Sequence, residues 1–177
     1  MDQFLAGVEA RAYRMAVIAT SSHEDALDIV QDAMLRLVRR YANHAEDEWP
    51  PLFYRVLQSA IRDWYRRNTV RNRWRQIFKG RQGDDETLED PIENMSGGLA
   101  SEPGTQVANE RAIKALDSLL HQLPLRQQQA FLLRQWEGLS VSETATAMGC
   151  SEGSVKTHLS RAIKTLRAQL QDHWLEM

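Results

Sequence analysis

The sequence is most restrictive in what it lacks. It has a single cysteine, Cys150, so no disulfide can form within the chain and no cysteine-rich metal site can be built. That suits a reducing compartment. No run reaches the roughly 18 apolar residues that a membrane-spanning helix needs. No basic segment followed by an apolar stretch opens the chain, which argues against a secretory leader. The expectation is a cytoplasmic protein without membrane insertion. No alternation of apolar and polar residues persists long enough for a strand, no internal repeat is present, and no Gly-rich phosphate loop or nucleophile–base motif is found. Neither a catalytic residue nor a cofactor is therefore expected. Basic residues are absent from one whole stretch: residues 83–110 hold eight Asp/Glu and no Lys or Arg.

That gap matters more than the net charge of −2, which taken alone speaks against a nucleic-acid partner. Residues 1–82 hold 14 Lys/Arg against 10 Asp/Glu, and residues 111–177 hold 8 against 6. Two basic ends thus flank an acidic middle. The middle is also rich in Gly, Pro and Ser, with Gly97-Gly98 and Pro103-Gly104, and reads as a linker. With 177 residues, 42% of them hydrophobic, the chain can bury two modest cores. The expected fold class is all-α: two small helical domains, 1–81 and 107–177, joined by an acidic linker over 82–106.

Helical periodicity supports this division. Phe4, Leu5, Val8, Ala12, Met15 and Ala19 mark a first helix, ending at Thr20-Ser21-Ser22. Ser22 can cap a second helix, with Asp25 in its first turn. That helix runs to about Tyr41 and has Ala26, Leu27, Val30, Ala33, Met34, Leu37 and Val38 as its apolar set. Pro50-Pro51 opens a third, reaching Arg67 with Phe53, Val56, Leu57, Ala60, Ile61 and Trp64 inward. Residues 68–81 read as a further short helix. Beyond the linker, helices are expected at about 107–122 and 125–136. Ser140 and Glu143 form a capping box for the next. Gly149 ends it, and Ser151 begins the last, whose apolar positions are Val155, Leu159, Ala162 and Leu166.

Three constellations bear on function. Residues 139–156 have the form of a helix-turn-helix unit. Its last helix presents Ser151, Glu152, Ser154, Lys156, Thr157, Ser160, Arg161 and Lys164 outward, small hydroxyls and cations suited to phosphates and base edges in a DNA groove. A plain helical hairpin with a solvated basic face has the same pattern. The stretch from Arg62 to Arg81 places eight basic residues and one acid in twenty positions, interleaved with aromatics. Arg and Asn there suit a phosphate backbone, and Tyr65 or Trp74 an exposed base; Trp64 and Phe78 read better as core. On the second helix, Asp28, Gln31, Asp32 and Leu35 share the face opposite the apolar set, a surface for a partner helix or simply for solvent. His23, Asp25, Asp28 and Asp32 also align at helical steps. They lack a second ligand cluster, so no metal site is expected.

Together these pieces resemble the bacterial RNA polymerase sigma factors of the sigma-70 family, in the extracytoplasmic-function subfamily. Asp28-Ile29-Val30-Gln31-Asp32 resembles the family's polymerase-core motif. Leu52-Phe53-Tyr54-Arg55-Val56 through Ile61-Arg62-Asp63-Trp64-Tyr65-Arg66-Arg67 resembles its promoter-melting helix. Leu123-Pro124, Phe131-Leu132-Leu133, Glu137-Gly138-Leu139-Ser140, Glu143, Gly149, Ser151, Gly153, Val155-Lys156 and Ser160-Arg161-Ala162 resemble its C-terminal domain. Leu52, Ser59 and Thr144 depart from the usual Trp, Asn and apolar residue.

The resemblance implies a transcription initiation factor rather than an enzyme. Asp28, Gln31, Asp32 and Leu35 would meet the clamp helices of the polymerase largest subunit. Tyr65, Arg66, Arg67, Asn68, Arg71, Asn72, Arg73 and Trp74 would recognise and melt the minus-ten element. The helix-turn-helix residues named above would read the minus-thirty-five element, with the C-terminal domain on the flap of the second subunit. Core RNA polymerase, promoter DNA and an anti-sigma factor are the implied partners. Two other readings remain open: a helix-turn-helix regulator that works without being a sigma subunit, and a metal-dependent nuclease built on the acids of the second helix.

Overall fold

The structure, a computed structural model, describes the backbone of residues 1–79 and 107–175, and side chains over 1–69 and 115–170. Seven α-helices are present among the described residues: α1 (Asp2–Thr20), α2 (His23–Tyr41), α3 (Trp49–Lys79), α4 (Val107–Gln122), α5 (Leu125–Phe131), α6 (Val141–Met148) and α7 (Glu152–Leu175). No strand occurs among them.

Local chemistry sets the helix ends. Ser21 closes α1 in the left-handed region at φ 52°, donating its N–H to the Val17 carbonyl at 2.8 Å. One residue on, the Ser22 hydroxyl accepts from the Asp25 N–H at 3.2 Å and caps α2. A 3-10 turn at Glu46–Glu48 leads into α3, whose Pro50 and Pro51 occupy first-turn positions where a missing N–H costs nothing. The expected break near Asn68 does not occur. The helix holds 31 residues, about 46 Å at 1.5 Å each, because no Gly or Pro interrupts residues 52–79.

In the C-terminal half, α5 passes into one wide π turn at Leu132–Trp136. Gly138 and Gly149 stand at φ 71° and 63°, left-handed conformations that a Cβ disfavours. They bracket α6. Its start is the expected capping box: Ser140 Oγ accepts from the Glu143 N–H at 3.1 Å, and the Ser140 N–H donates to Glu143 Oε2 at 2.7 Å.

Helices α1, α2 and α3 pack on one another through Ala12, Met15, Ala26, Val30, Ala33, Leu37, Phe53, Leu57 and Ile61, all buried. Each large side chain fully buried this way contributes about 1.5–3 kcal/mol. Helices α5 and α6 pack on α7, with Leu125, Ala130, Met148, Val155, Ala162 and Leu166 buried. The two units are not held apart. α3 lies against α6, and the apolar core is continuous across both. Two placements depart from the periodic reading: Leu27 and Val38 are 49% and 41% exposed rather than inward. Among the described residues α2 packs chiefly against α1 and α3, which leaves its third side open.

Candidate polymerase and DNA interface

The open side of α2 is the first candidate surface. Asp28, Gln31 and Leu35 are exposed, and Asp32 is half-buried. Leu27, Gln31, Leu35 and Val38 follow steps of four, four and three, so they form one ridge beside the acids, apolar except for the Gln31 amide. Leu27 and Val38 belong to this surface although periodicity alone assigns them to the core. The sequence holds no signal that separates them, since apolar residues at helical spacing on a helix with two neighbours fit either side.

A polar cleft of about 540 Å³ lies between the acids of α2 and α3. Its walls alternate in sign. Asp32 Oδ2 holds Arg36 at 2.6 Å and Asp63 Oδ1 holds Arg66 at 3.2 Å, with Asp25, Asp28 and Arg67 beside them. The acidic face of α2 and the basic stretch of α3 are thus two walls of one groove.

Along that stretch the structure sorts the expected residues. Arg66 and Arg67 are exposed. The Tyr65 hydroxyl donates to the Ala19 carbonyl at 2.6 Å, and burial pushes its pKa up to about 12. Tyr65 is therefore a brace between α3 and α1 here, with its polar end already used. Asn68 is buried at 8% exposure. Arg71, Asn72, Arg73 and Trp74 lie on the helical backbone of α3, with their side chains outside the described residues.

The second surface is α7. Ser151 Oγ accepts from the Ser154 N–H at 3.2 Å, the two hydroxyls lie 2.9 Å apart, and Thr157 Oγ1 donates to the Gly153 carbonyl at 3.0 Å. These hydroxyls thus build the helix start besides facing outward. Ser151, Glu152, Lys156, Thr157, Ser160, Arg161 and Lys164 are exposed and Ser154 is half-buried. Lys156, Arg161 and Lys164 form no ion pair among the described residues. Lys156, Ser160, Lys164 and Arg167 continue as one polar row beside Leu159 and Ile163, which extends the expected surface by Arg167. His158, behind that row, has its pKa lowered by burial and by Arg126 and Arg161. Thr144, buried in α6, leaves its hydroxyl without a partner among the described residues.

Among the described residues no group of three or more His, Cys, Asp and Glu could hold a metal ion. No described helix is long and apolar enough to cross a membrane.

The comparisons with known proteins bear on the same two halves. Residues 1–71 match the family model for sigma-70 region 2, and residues 113–166 that for sigma-70 region 4. The RNA polymerase sigma factor SigV of Bacillus subtilis is 32% identical over 162 residues, covering 89% of this chain and 83% of that protein. The RNA polymerase sigma-E factor of Streptomyces avermitilis is 30% identical over 153 residues, covering 86% and 74%. Among solved structures, the sigma factor RpoE of Bartonella quintana, in complex with the anti-sigma factor NepR, superposes with a TM-score of 0.66 at 21% identity, covering 96% of each chain.

Proposed function

The chain belongs to the sigma-70 family of transcription initiation factors, as an extracytoplasmic-function member that directs core RNA polymerase to promoters, and on that premise we propose how its residues divide the work. The α2 face of Asp28, Gln31, Asp32 and Leu35, widened by Leu27 and Val38, docks on the clamp helices of the polymerase largest subunit. Arg66 and Arg67, with Arg71, Asn72, Arg73 and Trp74 further along α3, hold the strand of the minus-ten element once the duplex opens. On α7, Lys156, Arg161 and Lys164 engage the minus-thirty-five element, joined by Ser160 and Arg167. The C-terminal unit meets the second-subunit flap through its exposed Trp136 (42% exposed). The chain performs no catalysis of its own and acts in the cytoplasm, under the control of an anti-sigma factor.

The observation that carries this reading is the acid-and-leucine face of α2, left open beside a groove whose far wall carries Arg66 and Arg67. A regulator that needed only its helix-turn-helix would gain nothing from such a face. Exposed apolar side chains ringed by charge favour a protein partner over solvent. The test is run-off transcription with purified core polymerase on linear promoter DNA. The expected result is a defined transcript that requires the chain, together with permanganate-reactive thymines at the start site. Combining Arg71→Ala with Arg73→Ala should abolish that reactivity on duplex DNA and leave part of it on a pre-melted template. Specific DNA binding with no core-dependent transcript would favour the regulator reading. DNA cleavage on adding a divalent cation would favour the nuclease.

A further inference from the structure

The cleft between α2 and α3 holds a cation that the division of work above leaves unused. Among the described residues its walls carry three guanidiniums, Arg36, Arg66 and Arg67, and four carboxylates, Asp25, Asp28, Asp32 and Asp63. The acids are in the majority, so in the free chain the cleft repels a phosphate backbone. Each cation is also already engaged. Arg66 Nη2 meets Asp63 Oδ1 at 3.2 Å, Arg67 Nε donates to the Asp63 carbonyl at 3.3 Å, and Arg36 Nη2 meets Asp32 Oδ2 at 2.6 Å.

Arg36 differs from the other two in where its partner stands. Asp63 is on α3, the same helix as the two cations it holds. Asp32 stands on α2 in one row with Asp28, a step of four away, and belongs to the face that docks on polymerase. The Asp32 and Arg36 side chains are 49% and 45% exposed, so water screens the pair and little is needed to part it. A polymerase cation pressed on Asp32 in a drier interface attracts the carboxylate more strongly than Arg36 does in water. Arg36 is then free to turn into the cleft, and the balance of charge inverts. With Asp28 and Asp32 paired to polymerase, two carboxylates remain against three guanidiniums.

We propose that Arg36 is a further contact for the opened promoter strand, restrained by Asp32 in the free chain and released when core polymerase takes the Asp32 carboxylate. The proposal rests on the reading above, in which the α2 face meets polymerase and Arg66 and Arg67 hold the strand. The cleft volume of about 540 Å³ lies within the roughly 300–1,000 Å³ of small-molecule sites. That is room for the sugar and phosphate of one nucleotide, with Arg36 on one wall and Arg66 and Arg67 on the other. One ion pair thereby couples the two binding events, and by linkage each strengthens the other.

The test is a double-mutant cycle on the free full-length chain, read by fluorescence anisotropy of a short labelled single strand of mixed sequence. Both side chains are partly in solvent, so neither exchange touches the core. Asp32→Asn keeps the shape and removes the charge. It should tighten strand binding about threefold, the factor that an exposed pair allows. It should also steepen the dependence of log K on log salt by about 0.7, the value for one added phosphate contact on a single strand. Arg36→Ala should change little while Asp32 is present and should remove the whole gain in the Asp32→Asn background. Charge acting only at a distance would make Arg36→Ala cost the same in both backgrounds, and that additive result overturns the proposal, as does the absence of any gain from Asp32→Asn. A second arm uses the holoenzyme. There Arg36→Ala should keep most of its affinity for core polymerase yet lower permanganate reactivity at the start site severalfold, and undiminished reactivity would overturn the proposal. The free-chain cycle contains no polymerase, so its failure stands apart from that of the docking face, which is decided by the affinity of Asp32→Arg for core polymerase.

Discussion

Asp32→Arg separates a polymerase-binding role from a structural one, because the two predict effects of different size. In the free protein Asp32 bonds Arg36 at 2.6 Å, but the two side chains are 49% and 45% exposed. An exposed pair of this kind stabilises by about 0.3–0.5 kcal/mol. The substitution removes it and sets two like charges four residues apart, a penalty of similar size. The total is about 1 kcal/mol, or roughly 2–4 °C in Tm for a chain of this length. At an interface the effect is larger. A like charge pressed against a basic partner surface costs several kcal/mol, and at about 3 kcal/mol the affinity for core polymerase falls roughly a hundredfold. The assay is a titration of labelled chain with core polymerase, with thermal circular dichroism alongside. Arg36→Ala is the control: it breaks the same ion pair, keeps the acid, and should keep most of the binding. If Asp32→Arg binds core polymerase within about threefold of wild type, the α2 face is not the contact, whatever happens to Tm.

Three further outcomes are expected. Arg161→Ala, at an exposed position, should leave Tm unchanged. If Arg161 reads a base edge, discrimination between cognate and altered upstream elements falls by about 1–3 kcal/mol; if it holds phosphate, all sequences weaken and the salt slope drops by about 1. Binding measured on both elements at two salt concentrations decides, and no change in either takes Arg161 off the DNA. Ser140→Ala should lower stability by about 1 kcal/mol through loss of the cap. Hydrogen bonds from Ser140 hold the Glu143 carboxyl below its ordinary range, so their stabilisation is present above the unfolded carboxylate value of about 4.3 and is lost as pH falls through the lower folded value. The Tm gap between wild type and Ser140→Ala should therefore narrow below about pH 4, and a gap independent of pH would refute the assignment. Thr144→Val should raise Tm, since it replaces a buried hydroxyl lacking a partner among the described residues with a methyl of similar size, and an unpaired hydroxyl costs about 1–3 kcal/mol. A fall in chemical-denaturation stability would show that the hydroxyl is satisfied.

The sequence alone determined whatever is decided within a few residues. Ser22 with Asp25, Ser140 with Glu143, and the left-handed Gly149 are local hydrogen-bond and backbone constraints, so the helix ends they mark were legible. The all-helical class followed from the period of the apolar residues. The candidate surface on α7 could be read because a helix with one apolar stripe must turn Lys156, Arg161 and Lys164 outward. Tertiary structure decided the rest. Nothing local shows that Leu27 and Val38 are exposed, because that depends on how many helices cover α2. Nothing local shows that the Tyr65 hydroxyl is used by Ala19, 46 residues away in sequence. Glu137 is the clearest case. In the sequence it is one acid before a glycine, indistinguishable from a solvated one. Its burial against Tyr54 and Arg11 depends on two units meeting across 83 residues of chain, a long-range contact that no periodicity encodes.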